Sequence, residues 1–183
     1  VKYEHPGQKS SLCIALACPQ TKRDGHGLDC FLYNFKRDLV ALKHIHAQCD
    51  RDGTPDKKPL LWVAVGVLEF ARQHLIDICH AIIGEDYRFY HAGTGDEDKA
   101  VISQGEAKTL AEWQGMYVVM ATTTVTVAVD VHNIVYRRYM VVSGASGCAK
   151  SMEMLQLSGR PGRGDYELQH KKLLHSEIFT LVT

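Results

Sequence analysis

Leu60-Leu61-Trp62-Val63-Ala64-Val65 is an unbroken apolar run that stops at Gly66. A run of that length and composition reads as a strand covered on both faces, since a strand with one wet face would alternate apolar and polar residues. The residues that follow change period. Leu68, Ala71, Leu75, Ile78, Cys79 and Ile82 recur at helical spacing, and Gly84 stands where a helix C-cap is expected. Tyr87-Arg88-Phe89-Tyr90-His91 then reads as a second strand closed by Ala92-Gly93. Thr94 and Glu97 have capping-box spacing for a helix running to about Trp113. Tyr117 to Ala121 reads as a third buried strand, Ile134 to Val142 contains a fourth, Ser151 to Leu157 is helical, and Glu177 to Val182 suits a last strand. Strands alternating with helices predict an α/β fold, a parallel sheet covered by helices on both faces. Ligands of such sheets lie in loops at the carboxyl ends of the strands, which here begin near Gly66, His91, Thr122 and Ser143.

Toward the N-terminus the pattern is less regular. Leu12 to Ala17 is a short apolar run, strand or buried helix, and Pro19 to Asp29 reads as a loop. Leu32, Phe35, Leu39, Leu42 and Ile45 give helical spacing over Phe31 to Cys49, and Asp50 to Pro55 breaks that helix. The whole chain has 183 residues with 45% hydrophobic and 23% charged, and 21 Lys+Arg against 21 Asp+Glu. That composition is too apolar and too nearly neutral for a disordered chain. No apolar run reaches the roughly 18 residues of a membrane-spanning helix, so no membrane partner is expected. The first residues lack the apolar core of a signal peptide, and the six cysteines, Cys13, Cys18, Cys30, Cys49, Cys79 and Cys148, form no C-x-x-C pair. Reduced thiols in an intracellular protein are expected. A chain that begins at Val1 is also expected to be cut from something longer.

The zero net charge is unevenly spread. Glu85 to Glu112 holds seven acidic against three basic residues, whereas Arg137 to Lys172 holds seven basic against three acidic. A basic stretch in a neutral chain marks where a phosphate-bearing partner would bind, with a merely solvated surface as the bland alternative. Within it lies Gln156-Leu157-Ser158-Gly159-Arg160-Pro161-Gly162-Arg163-Gly164-Asp165. Glycine lets the backbone turn sharply and approach a ligand closely. Arginine brings a fixed charge and a planar fork matched to phosphate oxygens.

Gln156 to Arg163 matches the Gln-x-x-Gly-Arg-x-Gly-Arg signature of the sixth motif of superfamily-two helicases in full. Upstream, Val118 to Ile134, with Thr122, Thr123, Asp130 and Asn133, resembles the fifth motif of RecQ-like helicases. Lys150-Ser151-Met152-Glu153 and Tyr90-His91-Ala92-Gly93 are similar to two further RecQ runs, and Leu60 to Ala71 sits where the family has the first strand and helix of its second lobe. The likeness covers Pro59 to Arg163. It departs from the family where Thr126 and Ala128 replace the two glycines of the fifth motif, and where residues are added near Ser143 to Gly147. Neither a Walker A lysine loop nor an Asp-Glu-x-His box precedes these motifs in the sequence.

The resemblance implies the C-terminal, second RecA-like lobe (P-loop NTPase type) of an ATP-dependent DNA helicase over residues 59–183. Residues 1–58 form an N-terminal segment with one helix, whose relation to that lobe the sequence leaves open. In such enzymes ATP with Mg²⁺ lies between two lobes and is held mainly by the first, which this sequence lacks. The second lobe presents arginines across the cleft. Carried over, Arg160 and Arg163 would be arginine fingers, while Gln156, Gly159 and Asp130 would lie at the nucleotide. Such a finger is worth about 10³–10⁵ in rate in related phosphoryl transfer. Thr122, Thr123 and His91, with the basic pair Arg137 and Arg138, would contact the backbone of single-stranded or duplex DNA, which positions without reading sequence. The family implies 3′ to 5′ movement, the first lobe as partner and, in a eukaryote, a nuclear location. A helicase-derived binding module without hydrolysis is the alternative.

Three further patterns carry weaker chemistry. Gly144 to Ser151 imitates the phosphate loop G-x-x-x-x-G-K-[ST] of a kinase, but Ala149 stands where close approach needs glycine. His44, His46 and Cys49 suggest a metal, yet helical residues two apart point to different faces, and no metal site is expected. Cys148 beside Lys150 has no partner constellation for nucleophilic catalysis.

Overall fold

The computed structural model describes residues 14–16, 26–103, 105–123, 135–142, 151–158 and 178–182. Its strands are β1 (Ile14–Leu16), β2 (Leu60–Val65), β3 (Tyr87–Tyr90), β4 (Val118–Thr122), β5 (Val135–Val142) and β6 (Ile178–Val182). The helices are α1 (His26–Arg51), α2 (Leu68–Phe70), α3 (Ile76–Ile83), α4 (Asp96–Ser103), α5 (Glu106–Trp113) and α6 (Ser151–Ser158), with a π-helical turn at Ala71–Leu75 joining α2 to α3. The strands form one sheet in the order β1-β6-β5-β2-β4-β3, and every pairing is parallel. The fold is therefore an α/β parallel sheet, as the alternation of periods predicts.

The run that decides the fold is the strand most enclosed by it. All six residues of β2 are buried. Leu61, Val63 and Val65 pack into one cluster with Phe31, Phe35, Leu39 and Leu42 of α1 and with Leu75, Cys79 and Ile83 around α3. Leu60, Trp62 and Ala64 pack into a second with Ile102 of α4, Trp113 of α5, and Met154 and Leu157 of α6. Period-two alternation of one strand thus feeds two cores, each large buried apolar side chain contributing about 1.5–3 kcal/mol. Connections that run toward the β3 edge carry α1 and α3 on the first face. Connections that run back carry α4, α5 and α6 on the second, the division that one handedness of crossover dictates.

Residues 26–51 belong to this packing, since α1 supplies a quarter of the first core by itself. The helix starts at His26, inside the segment read as a loop, because Leu28 extends its apolar face by another turn against the sheet side. The helix expected to run unbroken to Trp113 is instead two. Gly105 has φ +109, a conformation that L side chains rarely adopt, and its carbonyl accepts the Thr109 N–H at 3.2 Å and hydroxyl at 3.0 Å to start α5. Nor does Thr94 cap α4. Its hydroxyl accepts the His91 N–H at 2.8 Å and donates to the Phe89 carbonyl, tying the loop to β3. No helix of the described residues is long and apolar enough to cross a membrane.

Candidate functional site

Adjacent strands whose onward connections leave over opposite faces open a crevice at their carboxyl ends. β2 and β5 are such a pair, since β2 leads to α2 on the first face and β5 leads to α6 on the second. Gly66 seals the base of this crevice. Its N–H donates to the Val141 carbonyl at 2.7 Å, and a Cβ at this position would meet that same oxygen at 2.7 Å and the Met154 Sδ at 3.3 Å. Only glycine lets the chain leave β2 so close to β5.

Two positions along the same edge, β3 ends in a tightly built turn. The His91 N–H is taken by Thr94, the Thr94 N–H donates to the His91 carbonyl at 3.0 Å, and the Gly93 N–H donates to His91 Nδ1 at 3.0 Å. Lys99 Nζ donates to the Ala92 carbonyl at 2.8 Å. Accepting at Nδ1 leaves the imidazole neutral with its proton on Nε2. Burial, together with the positive charges of Arg72 and Lys99, holds His91 below the usual imidazole range. Tyr90 is buried, and its hydroxyl accepts the Trp113 indole N–H at 3.0 Å. Thr122, the last residue of β4, is buried and its hydroxyl donates to the Tyr90 carbonyl at 3.5 Å, while Thr123 is half-buried just beyond it. His91, Thr122 and Thr123 are thus brought together at one edge of the sheet.

The basic pair is placed differently from expectation. Arg137 Nη1 lies 2.7 and 3.0 Å from the two carboxylate oxygens of Asp38, a residue of α1 that is 1% exposed. Tyr139 donates its hydroxyl to the same carboxylate at 2.6 Å. Arg138 projects into the opposite core and is 7% exposed. Expected as nucleic-acid contacts, both arginines are built into the packing between the sheet and its helices. For Arg137, a charge already desolvated and paired is not free to meet a phosphate. Asp38 was not singled out in the sequence, though its signal is there: it falls on the buried stripe of α1 between Phe35 and Leu42.

Gln156 is exposed on the last turn of α6, between buried Met154 and Leu157, and the Leu157 carbonyl accepts the Trp62 indole N–H at 3.1 Å. That bond fixes where the chain leaves α6 toward residues 159–163. Asp130, Gly159, Arg160 and Arg163 lie outside the described residues, as do Thr126, Ala128, Cys148 and the rest of residues 143–150. His46 is buried, donates from Nε2 to the Pro59 carbonyl at 2.7 Å and stacks on Tyr117 at 4.2 Å, whereas His44 is exposed. Among the described residues no group of three or more His, Cys, Asp or Glu converges as metal ligands would.

No family model matches the chain, and no curated protein matches it. Among solved structures it is similar to domain 2 of the DEAD-box helicase Mss116p bound to an RNA duplex, with 15% identity and a TM-score of 0.46 over 81% of this chain. The chain spans about half of that one, 51% of its length.

Proposed function

We propose that this chain is the C-terminal RecA-like motor lobe of an ATP-dependent, RecQ-like 3′ to 5′ DNA helicase, at work inside the cell and in the nucleus of a eukaryote. The observation that supports this reading best is one of order. The family-like segments at Gly66, His91 and Thr122–Thr123 each follow a strand of one parallel sheet at its carboxyl end, and the sixth-motif string begins on α6 beside them. Motifs that only resembled a family by chance have no reason to gather at one edge.

The donor set fits a triphosphate. One amide, Gln156, and two guanidinium groups, Arg160 and Arg163, offer hydrogen-bond donors to phosphate oxygens. ATP with Mg²⁺ supplies the phosphoryl-transfer energy, held mainly by a first lobe. In this reading Arg160 and Arg163 stabilise charge on the γ-phosphate oxygens, Gln156 links that contact to the interlobe surface, and Gly159 and Asp130 shape the nucleotide's edge. Thr122, Thr123 and His91 touch the DNA backbone. An isolated lobe has no turnover of its own.

Supplying a RecQ-type first lobe tests the proposal. Hydrolysis should appear, and Arg163→Ala should lower it by at least about 10³ while nucleotide binding stays within a few-fold. Unchanged turnover in that variant refutes the role of Arg163. Thr126 and Ala128, in place of glycines, favour a second reading, a helicase-derived module that binds single strands and hydrolyses nothing. Salt-dependent binding to DNA without turnover, even with the first lobe present, would select it.

A further inference from the structure

The outward face of α1 departs from what an amphipathic surface helix needs. Its buried stripe is complete, with Phe31, Phe35, Leu39 and Leu42 in the core. Charged and polar residues would serve on the opposite side. Instead the midline of that side is Tyr33, Val40 and Ala47, at intervals of seven residues, all exposed. Tyr33 is 67% and Val40 47% exposed, and among the described residues these are the two exposed large hydrophobic side chains. Cations flank the line on both sides. Lys36 and Lys43 lie on one, Arg37 and Arg51 on the other with the imidazole of His44 between them, and all five are exposed. The acidic side chains near it are Asp29 at one end and Asp50 and Asp52 at the other, Asp50 being paired with Lys58 at 2.8 Å, while the buried Asp38 lies 3.4 Å from the Arg37 guanidinium.

We propose that this face of α1 docks an acidic amphipathic helix of a partner protein. A seven-residue apolar repeat with charges three and four residues on is the geometry by which one helix reads another: a line of contact at the centre, charge pairing at the flanks. From Tyr33 to Arg51 the surface extends roughly 27 Å at 1.5 Å per residue, enough for four to five turns of a partner. The sign of the flanks selects the partner's sign, so its helix carries Asp or Glu on both sides of a small apolar line. A nucleic-acid backbone would use the cations but has no contact to offer Val40 or Ala47. The surface does not depend on the helicase reading.

The test uses the full chain and a fluorescein-labelled helical peptide of about 20 residues, with Leu and Ala on its midline and Glu on both flanks. A second peptide carries Lys in place of Glu, and a single-stranded oligonucleotide serves as the third probe. The acidic peptide should bind saturably and weaken with salt, and the Lys peptide should not bind. Val40→Asp should weaken the acidic peptide about tenfold or more. Lys36→Glu with His44→Glu should abolish it and admit the Lys peptide. These positions are exposed, so thermal melts of the variants should match the parent. No binding of the acidic peptide, binding indifferent to these substitutions, or loss of oligonucleotide affinity alone in the charge-reversed variant would each overturn the proposal.

Discussion

Replacing Asp38 by asparagine removes one negative charge from a site that water does not reach, and the structure lets the cost be estimated. Asp38 is 1% exposed, and its carboxylate accepts from Tyr139 at 2.6 Å and from Arg137 at 2.7 and 3.0 Å. Removing one partner of a buried pair costs about 3–5 kcal/mol, because the other charge stays desolvated. The Arg137 side chain is 16% exposed and so keeps a little water, which places Asp38→Asn at the low end, about 3 kcal/mol. Tyr139→Phe keeps the ring and its edge contacts with Phe31 and Phe35 at 5.2 and 5.4 Å, and loses one hydrogen bond to a charged acceptor, about 1.5–3 kcal/mol. Arg137→Met strands Asp38 and should cost at least as much as Asp38→Asn. Asp38→Asn combined with Arg137→Met removes both charges and should cost far less than the sum of the two single changes. Urea denaturation of the four variants, with unchanged m-values, gives the cycle directly. If the double variant equals the sum within about 0.5 kcal/mol, the two groups do not interact and the pair does not anchor α1 to β5.

Three further outcomes follow from the same packing. Gly66→Ala sets a Cβ 2.7 Å from the Val141 carbonyl, a backbone atom that cannot swing aside, so the melting transition should fall by the equivalent of about 1–3 kcal/mol; an unchanged melt would mean that β2 and β5 separate there freely. His46, chiefly through burial, and His91, chiefly through burial with Arg72 and Lys99 beside it, titrate below their ordinary value of 6.5. A lowered imidazole pKa in the fold means that stability is complete above about pH 6.5 and is lost as pH falls through the depressed values. The acid limb of a pH–stability profile should therefore shallow in His46→Gln, which keeps a donor for Pro59 and removes the titration; an identical limb would refute His46 as its source.

The fold was legible because its signals are local and redundant. The apolar run of β2, the helical spacing from Leu68 and the glycine at 84 each restrict one element, and they agree. The carboxyl-edge loops followed from the strand order alone. Gly105 and Leu28 mark where local reading gave out. A glycine in a helical pattern does not say whether it is tolerated or breaks the helix, and an extra turn of α1 is decided by a sheet contact far away in sequence. For the candidate site, His91 and the two threonines could be placed by the strands they end. The arginines at 137 and 138 could not, since a charge count does not distinguish a solvated cation from one that packs.

One residue makes that difference. Strict alternation along β5 would put Val135, Arg137, Tyr139 and Val141 on a single face. Leu60 pairs with Val135, but Leu61 pairs with Arg137, so Tyr136 is an extra residue opposite no single partner. Such a bulge shifts the phase of every side chain after it. Val135 therefore packs with α6's core, whereas Arg137, Tyr139 and Val141 face α1. Were the same residues kept in strict alternation from Val135, the guanidinium of Arg137 would point away from Asp38, leaving the buried carboxylate with only Arg37 at 3.4 Å and an arginine among Trp62, Met140 and Met154. The bulge and the acid on α1 are thus one arrangement. Deleting Tyr136 should remove the bulge yet keep Val135 opposite Leu60 and Arg137 opposite Leu61, so that Arg137 still meets Asp38 and Asp38→Asn costs as much in the deleted chain as in the parent. A clearly smaller cost would mean that the extra residue itself, and not the register on either side of it, holds Arg137 against Asp38.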